Sequence, residues 1–128
     1  MSAAPEVPAE PQLAVVCLCA EWCGTCRDYQ ATFAELQAAL PAHTYRYIDI
    51  EDEADLVGDV DVETFPTLMV THQGRVLFAG PVLPRLGDAQ RLLQTLGDAL
   101  RGCATPAAQV DAEQAEAYDA LAQRLAGA

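Results

Sequence analysis

The stretch "LCAEWCGTCRDYQ", residues 18–30, ends an apolar run and carries three of the chain's five cysteines. Cys23 and Cys26 form a C-x-x-C. Such a pair serves as a redox centre, as half of a metal clamp, or as two small buried residues. The flanking residues weigh between these uses. Upstream, "LAVVCLCA" is a short continuous apolar run, as expected for a strand buried on both faces of a sheet. Period two places Cys17 and Cys19 on one face and Val16 and Leu18 on the other. Downstream, from Thr25 to about Leu40, the spacing of Tyr29, Phe33, Leu36 and Leu40 is helical, and Pro41 stops it. The cysteine pair therefore sits at a strand-to-helix step.

The remaining elements follow from the same periodicities. "TYRYIDIE" reads as a second strand, with Tyr45, Tyr47 and Asp49 facing one way and Ile48 and Ile50 the other. "EADLVGDV" reads as a short helix, and "TFPTLMVTHQGRVLFAG" as a hairpin turning at Gln73-Gly74. Residues 88–100 form an amphipathic helix on Leu92, Leu93, Leu96 and Leu100. A last helix is expected over 106–125, with Val110, Tyr118, Leu121 and Leu125 on its stripe. The order β-α-β-α-β-β-α predicts an α/β class: a mixed sheet of about four strands flanked by helices, with an extra C-terminal helix. The expected division is a flexible lead-in over 1–12, a domain over 13–102 and a helical extension over 103–128.

Composition narrows the function. With 128 residues, 52% of them hydrophobic, the chain can bury a core without staples. The odd cysteine count argues against a secreted disulfide framework. A net charge of −12 opposes nucleic acid and anionic membranes. No signal peptide or membrane span is expected, and the default setting is a reducing cytoplasm. The acidic run 49–63 reads as a solvated face without EF-hand spacing. His43 and His72 read as solvated, and Cys103 as a bystander thiol.

At a helix N-terminus, Cys23 meets unpaired backbone N–H groups, a setting that favours thiolate. Cys26 lies one turn on and is harder to reach. An exposed attacking sulfur beside a sheltered resolving one is the requirement of thiol–disulfide exchange. Trp22 offers a flat apolar surface beside the thiol, and Gly24 permits a tight turn. In "TFPT", a cis Phe65–Pro66 bond would expose the Phe65 backbone to an extended substrate. Cys17 and Cys19 have three readings. They are small core residues, or one of them trades disulfides with the active pair, or C-x-C-x3-C-x2-C ligates zinc or an iron–sulfur cluster.

"AEWCGTC" resembles the A-E-W-C-G-P-C site of the thioredoxin family, differing at Thr25. "TFPT" resembles the segment around that family's cis-proline, and "QGRV" the hairpin turn that follows. The likeness runs over about residues 13–100. It implies a thioredoxin-like fold and dithiol–disulfide exchange with protein substrates, without a bound cofactor or metal. It makes Cys23 the nucleophile, Cys26 the resolving thiol, and Trp22, Gly24, Thr25, Phe65 and Pro66 the substrate-binding surface. A thioredoxin reductase or another dithiol donor is the implied partner, and the expected state is a monomer or weak dimer. Cys17 stands where the family carries a buried aspartate, Tyr47 where it carries a buried lysine, and Cys19 where a second tryptophan packs. No counterpart of the family's first strand and helix is evident before "LAVV". These departures point to specialised partners, and they keep open an alternative: a thioredoxin-fold chaperone or assembly module with little redox turnover.

Overall fold

The computed structural model describes residues 12–20, 23–62, 64–102 and 107–126. Its order is β1 (Ala14–Cys19), α1 (Gly24–Ala39), β2 (Thr44–Asp49), α2 (Ala54–Val57), β3 (Thr67–His72), β4 (Arg75–Pro81), α3 (Leu86–Arg101), β5 (Gln109–Val110) and α4 (Ala115–Ala126). The strands form one sheet in the order β2-β1-β3-β4-β5. β1 pairs parallel with β2 and antiparallel with β3, β3 runs antiparallel to β4, and β4 pairs parallel with β5.

β1 is central, and its side chains are sealed on both faces by the alternation that its sequence shows. Leu13, Val15, Cys17 and Cys19 point into a core shared with Cys26, Tyr29, Phe33 and Leu36 of α1 and Ala89, Leu93 and Leu96 of α3. Val16 and Leu18 point into a second core with Ile48, Met69, Val57 of α2 and Tyr118, Leu121 and Ala122 of α4. Tyr45 and Tyr47 pack on the first core and Ile48 in the second, so β2 also faces as its pattern requires. Phe33 closes the α1–β2 side edge-on to Tyr45, with ring centroids 5.7 Å apart, a geometry that aromatic quadrupoles favour.

The hairpin turns at Gln73 (φ 54°) and Gly74 (φ 81°). Two successive left-handed residues make the tight turn whose twist suits antiparallel strands. Where Val76 faces Thr71 and Phe78 faces Val70, Leu77 is the extra residue of a bulge. The bulge resets the alternation, which is why Val76 and Ala79 share the second core while Leu77 enters the first.

The mixed sheet and the extra C-terminal helix are as expected, with details added. A two-residue fifth strand joins the sheet, and Val110 lies in it beside Ala79 rather than on the last helix, which begins only at Ala115. A two-residue strand leaves no periodic signal, and one valine fits a helical stripe equally well. The histidines are partly buried and bonded rather than merely solvated. The Leu13 N–H donates to His43 Nδ1 (3.1 Å), and His72 Nδ1 lies 3.1 Å from the Gln12 carbonyl oxygen. Together they hold the chain as it enters β1. Cys103 lies outside the described residues.

α4 covers the sheet face opposite α1 and α3. Arg124 adds a polar clamp: its Nε donates to the Leu56 carbonyl (2.8 Å) and its Nη2 to that of Val57 (3.1 Å). These are C-terminal carbonyls of α2, which lack partners within so short a helix. Leu121 is fully buried. Leu121→Ala should cost about 2–5 kcal/mol of unfolding free energy, the range for a large core side chain truncated to alanine. Denaturant melts would measure it, and a change within error would mean that α4 is not part of the cooperative unit.

Candidate functional site

The C-terminal end of β1 gathers the chemistry. Antiparallel pairing sets Leu18 opposite Thr67, so the Phe65–Pro66 segment arrives at the same end of the sheet as Cys19. The Phe65–Pro66 peptide is cis. Pro66 is buried, and its carbonyl accepts the Val82 N–H at 3.1 Å. Thr67 is fixed by its hydroxyl, which donates to the Thr64 carbonyl at 2.7 Å. Phe65 and Cys23, both partly buried, pack against the first core.

Cys23 is the N-cap of α1, with an extended backbone (φ −85°, ψ 123°) and no side-chain capping bond. Its N–H donates to the Ala20 carbonyl at 3.0 Å, and its carbonyl accepts the Arg27 N–H at 3.1 Å. These two bonds fix the step from strand to helix. Cys26 follows on the same helix face and is fully buried.

The sulfur connectivity differs from the C-x-x-C expectation. Cys26 is bonded to Cys19, with Cα atoms 5.7 Å apart, well inside the ordinary range for a disulfide. Cys23 is a free, partly exposed thiol, and Cys17 a free, buried one. The Ala20 N–H donates to Cys26 Sγ at 3.3 Å. The physical reason is facing: β1 aims Cys19 at α1, and Cys26 is the α1 cysteine turned toward the sheet. Of the three readings of Cys17 and Cys19, Cys17 is a core residue and Cys19 is a disulfide partner. The bond also commits two of the four sulfurs that a metal cluster would need.

The other expected site residues fall as follows. Thr25 is exposed in the first turn of α1. Gly24 is helical, and a Cβ added there would meet only Arg27 at an ordinary 3.8 Å, so the local backbone does not require glycine. Trp22 lies outside the described residues. Tyr29 is a residue whose place at the site the sequence did not reveal. Its hydroxyl is buried and has no hydrogen-bond partner among the described residues. Its pKa is pushed up to about 12 by burial, then by the neighbouring Cys17 and Asp88. The signal was its place one turn beyond Cys26.

The thioredoxin family model matches residues 4–81, more than half of the chain. The chain belongs to the thioredoxin family. Among curated relatives, Thioredoxin H-type 2 of Nicotiana tabacum is 31% identical over 68 residues, covering 53% of this chain and 58% of that protein. Thioredoxin H-type of Ricinus communis is 34% identical over 65 residues, covering 51% and 55%. The chain thus spans little more than half the length of these relatives. The fold matches the oxidised thioredoxin of Plasmodium falciparum (TM-score 0.58, 17% identity, covering 70% of this chain and 85% of that one). It matches Fasciola hepatica thioredoxin as well (TM-score 0.58, 20% identity, covering 70% and 84%). The architecture is therefore thioredoxin-like, a mixed sheet flanked by helices. Among the described residues, no helix is long and apolar enough to cross a membrane.

Cys17 is sealed in the first core. Burial pushes its pKa from 9.0 to about 12, so it stays a neutral thiol. In the unfolded chain that thiol ionises near its ordinary value, whereas in the fold it keeps its proton until about pH 12. Stability is thus fully present below pH 9 and declines as pH rises toward 12, by at most about 1.4 kcal/mol per pH unit from this group. Guanidinium melts of the oxidised protein between pH 8 and 9, before the tyrosines of the unfolded chain ionise near 10, should show the onset of this decline. Cys17→Val should flatten it, and an unchanged slope in the variant would remove Cys17 as the cause.

Proposed function

We propose that the protein is a thiol–disulfide oxidoreductase acting on protein substrates, with Cys23 as the attacking sulfur and Cys26 as the resolving one. The observation that carries this reading is the setting of Cys23. It is a free, partly exposed thiol at the N-cap of α1, one helical turn from a sulfur already held in a disulfide. Membership of the thioredoxin family supports the same chemistry.

In the reducing direction, the Cys23 thiolate attacks one sulfur of a substrate disulfide. A Cys23–substrate bond forms, and the other substrate sulfur leaves as a thiolate that takes up a proton. Cys26, deprotonated, then attacks Cys23 Sγ and expels the second substrate thiol. The substrate gains two electrons and the protein loses two. Cys26 works buried, where a thiolate is costly. The Ala20 N–H aimed at its sulfur offsets part of that cost by hydrogen bonding the charged form.

Trp22, Gly24, Thr25, Phe65 and Pro66 form the docking surface in this reading. An extended substrate strand lies beside the Phe65–Pro66 step, and the exposed Thr25 borders the approach to Cys23. The 13–102 unit carries the chemistry, and 103–128 covers the second sheet face. A thioredoxin reductase or another dithiol returns the electrons in a reducing compartment such as the cytoplasm. No cofactor is required, because the electrons reside in the sulfurs.

Reduction of insulin disulfides with dithiothreitol as donor tests the reading. The wild-type protein should accelerate it, and Cys23→Ser should return the rate to background. Cys26→Ser should accumulate a Cys23–substrate mixed disulfide, visible as a mass adduct lost on reduction. A Cys23→Ser protein as active as wild type would sink the reading in favour of a partner-binding module.

A further inference from the structure

We propose that Cys19 is a third redox residue of this site: Cys26 exchanges its disulfide partner between Cys23 and Cys19, and the resting oxidised protein carries Cys19–Cys26 with Cys23 as a free thiol. The proposal rests on the oxidoreductase reading above and extends it from two sulfurs to three.

Access and connectivity together require such a step. Cys19 and Cys26 are bonded, and neither exposes any surface. A substrate or donor therefore cannot approach that disulfide directly. Cys23 is the partly exposed cysteine among those described, so electrons enter and leave through it. Residues three apart at a helix start lie on one face, which puts Cys23 within reach of Cys26. Period two along β1 puts Cys19 on the same side of the sheet. Cys26 is thus the central sulfur, flanked by an outer and an inner partner.

The exchange balances without an outside oxidant. After a substrate is reduced, the protein holds a Cys23–Cys26 disulfide and a Cys19 thiol. Cys19 loses its proton and attacks Cys26 Sγ. The Cys19–Cys26 bond forms, the Cys23–Cys26 bond breaks, and Cys23 leaves as a thiolate. No net electrons move. The return route reverses it: Cys23 attacks Cys26, Cys19 leaves and is protonated, and an external dithiol then reduces Cys23–Cys26.

The connectivity sets the direction. Each isomer leaves one sulfur unbonded. In one it is Cys23, which meets water and the N-terminal turn of α1. In the other it is Cys19, sealed in the first core. The structure holds the inner bond and leaves Cys23 as the free thiol, and that isomer is the resting one. Cys17 is the buried free thiol and is not part of the bond.

The test is disulfide mapping of the full-length wild-type protein, oxidised in graded dithiothreitol buffers, acid-quenched, and alkylated under denaturing conditions. Cleavage after Glu21 separates Cys17 and Cys19 from Cys23 and Cys26. A Cys19–Cys26 bond links the two peptides; a Cys23–Cys26 bond does not. The expected result is linked peptides in excess over the unlinked form, with Cys23 alkylated. Quenching soon after one turnover with substrate should catch Cys23–Cys26 before it converts. Cys19→Ala should shift the oxidised protein to Cys23–Cys26 and abolish Cys23 alkylation. Wild-type protein oxidised only as Cys23–Cys26 would overturn the role of Cys19 while leaving the two-sulfur reading intact. If neither disulfide forms, both fall.

Discussion

The structure depends on the double burial of β1. A strand with neighbours on both edges and helices on both faces has no freedom of register, because a one-residue slip would exchange its two cores. That constraint decides more than stability. It aims Cys17 and Cys19 at α1 and α3 and sends Val16 and Leu18 to the opposite side. It also sets where the chain leaves the sheet, and hence where α1 begins with Cys23 at its cap. The candidate sulfurs lie on or within a few residues of the strand buried on both faces, and a rigid element of this kind can hold reacting groups in fixed geometry.

Much of this was legible. The apolar run of β1, the spacing of Tyr29, Phe33 and Leu36, and Gln73-Gly74 between two alternating segments each carry one dominant physical signal. Such signals survive in the fold because local preference and tertiary burial agree. The elements that escaped carry weak or shared signals. Gln109–Val110 becomes a strand only because β4 offers it an edge. His43 and His72 hold the entry to β1 through backbone groups of Gln12 and Leu13, contacts made by the crossover and the hairpin and invisible in either segment alone.

The candidate site shows the same division. The sequence places Cys23 and Cys26 at a strand-to-helix step and Phe65–Pro66 at a strand start, and the fold brings these segments to one end of the sheet. What the sequence leaves open is which sulfur partners Cys26. Spacing along the chain favours Cys23; facing within the core selects Cys19. Spacing is local, whereas facing depends on how a helix rolls against a sheet, and that is settled by Phe33, Leu36, Leu93 and the rest of the first core together. A family motif accordingly tells where the chemistry sits more firmly than it tells which atoms are bonded at rest.

Gly58 and Arg124 carry a consequence for how the sequence can vary. Gly58 ends α2 with φ 64°, and a Cβ there would come within 2.7 Å of Arg124 Nη2. The guanidinium that holds the carbonyls of Leu56 and Val57 thus occupies the space that any other residue at 58 would need. A larger residue at 58 requires the arginine to swing away and release the end of α2, and a shorter side chain at 124 gives up those bonds while opening room at 58. A residue other than glycine at 58 meets a left-handed backbone as well as the guanidinium, whereas a shorter side chain at 124 gives up the two bonds without a clash.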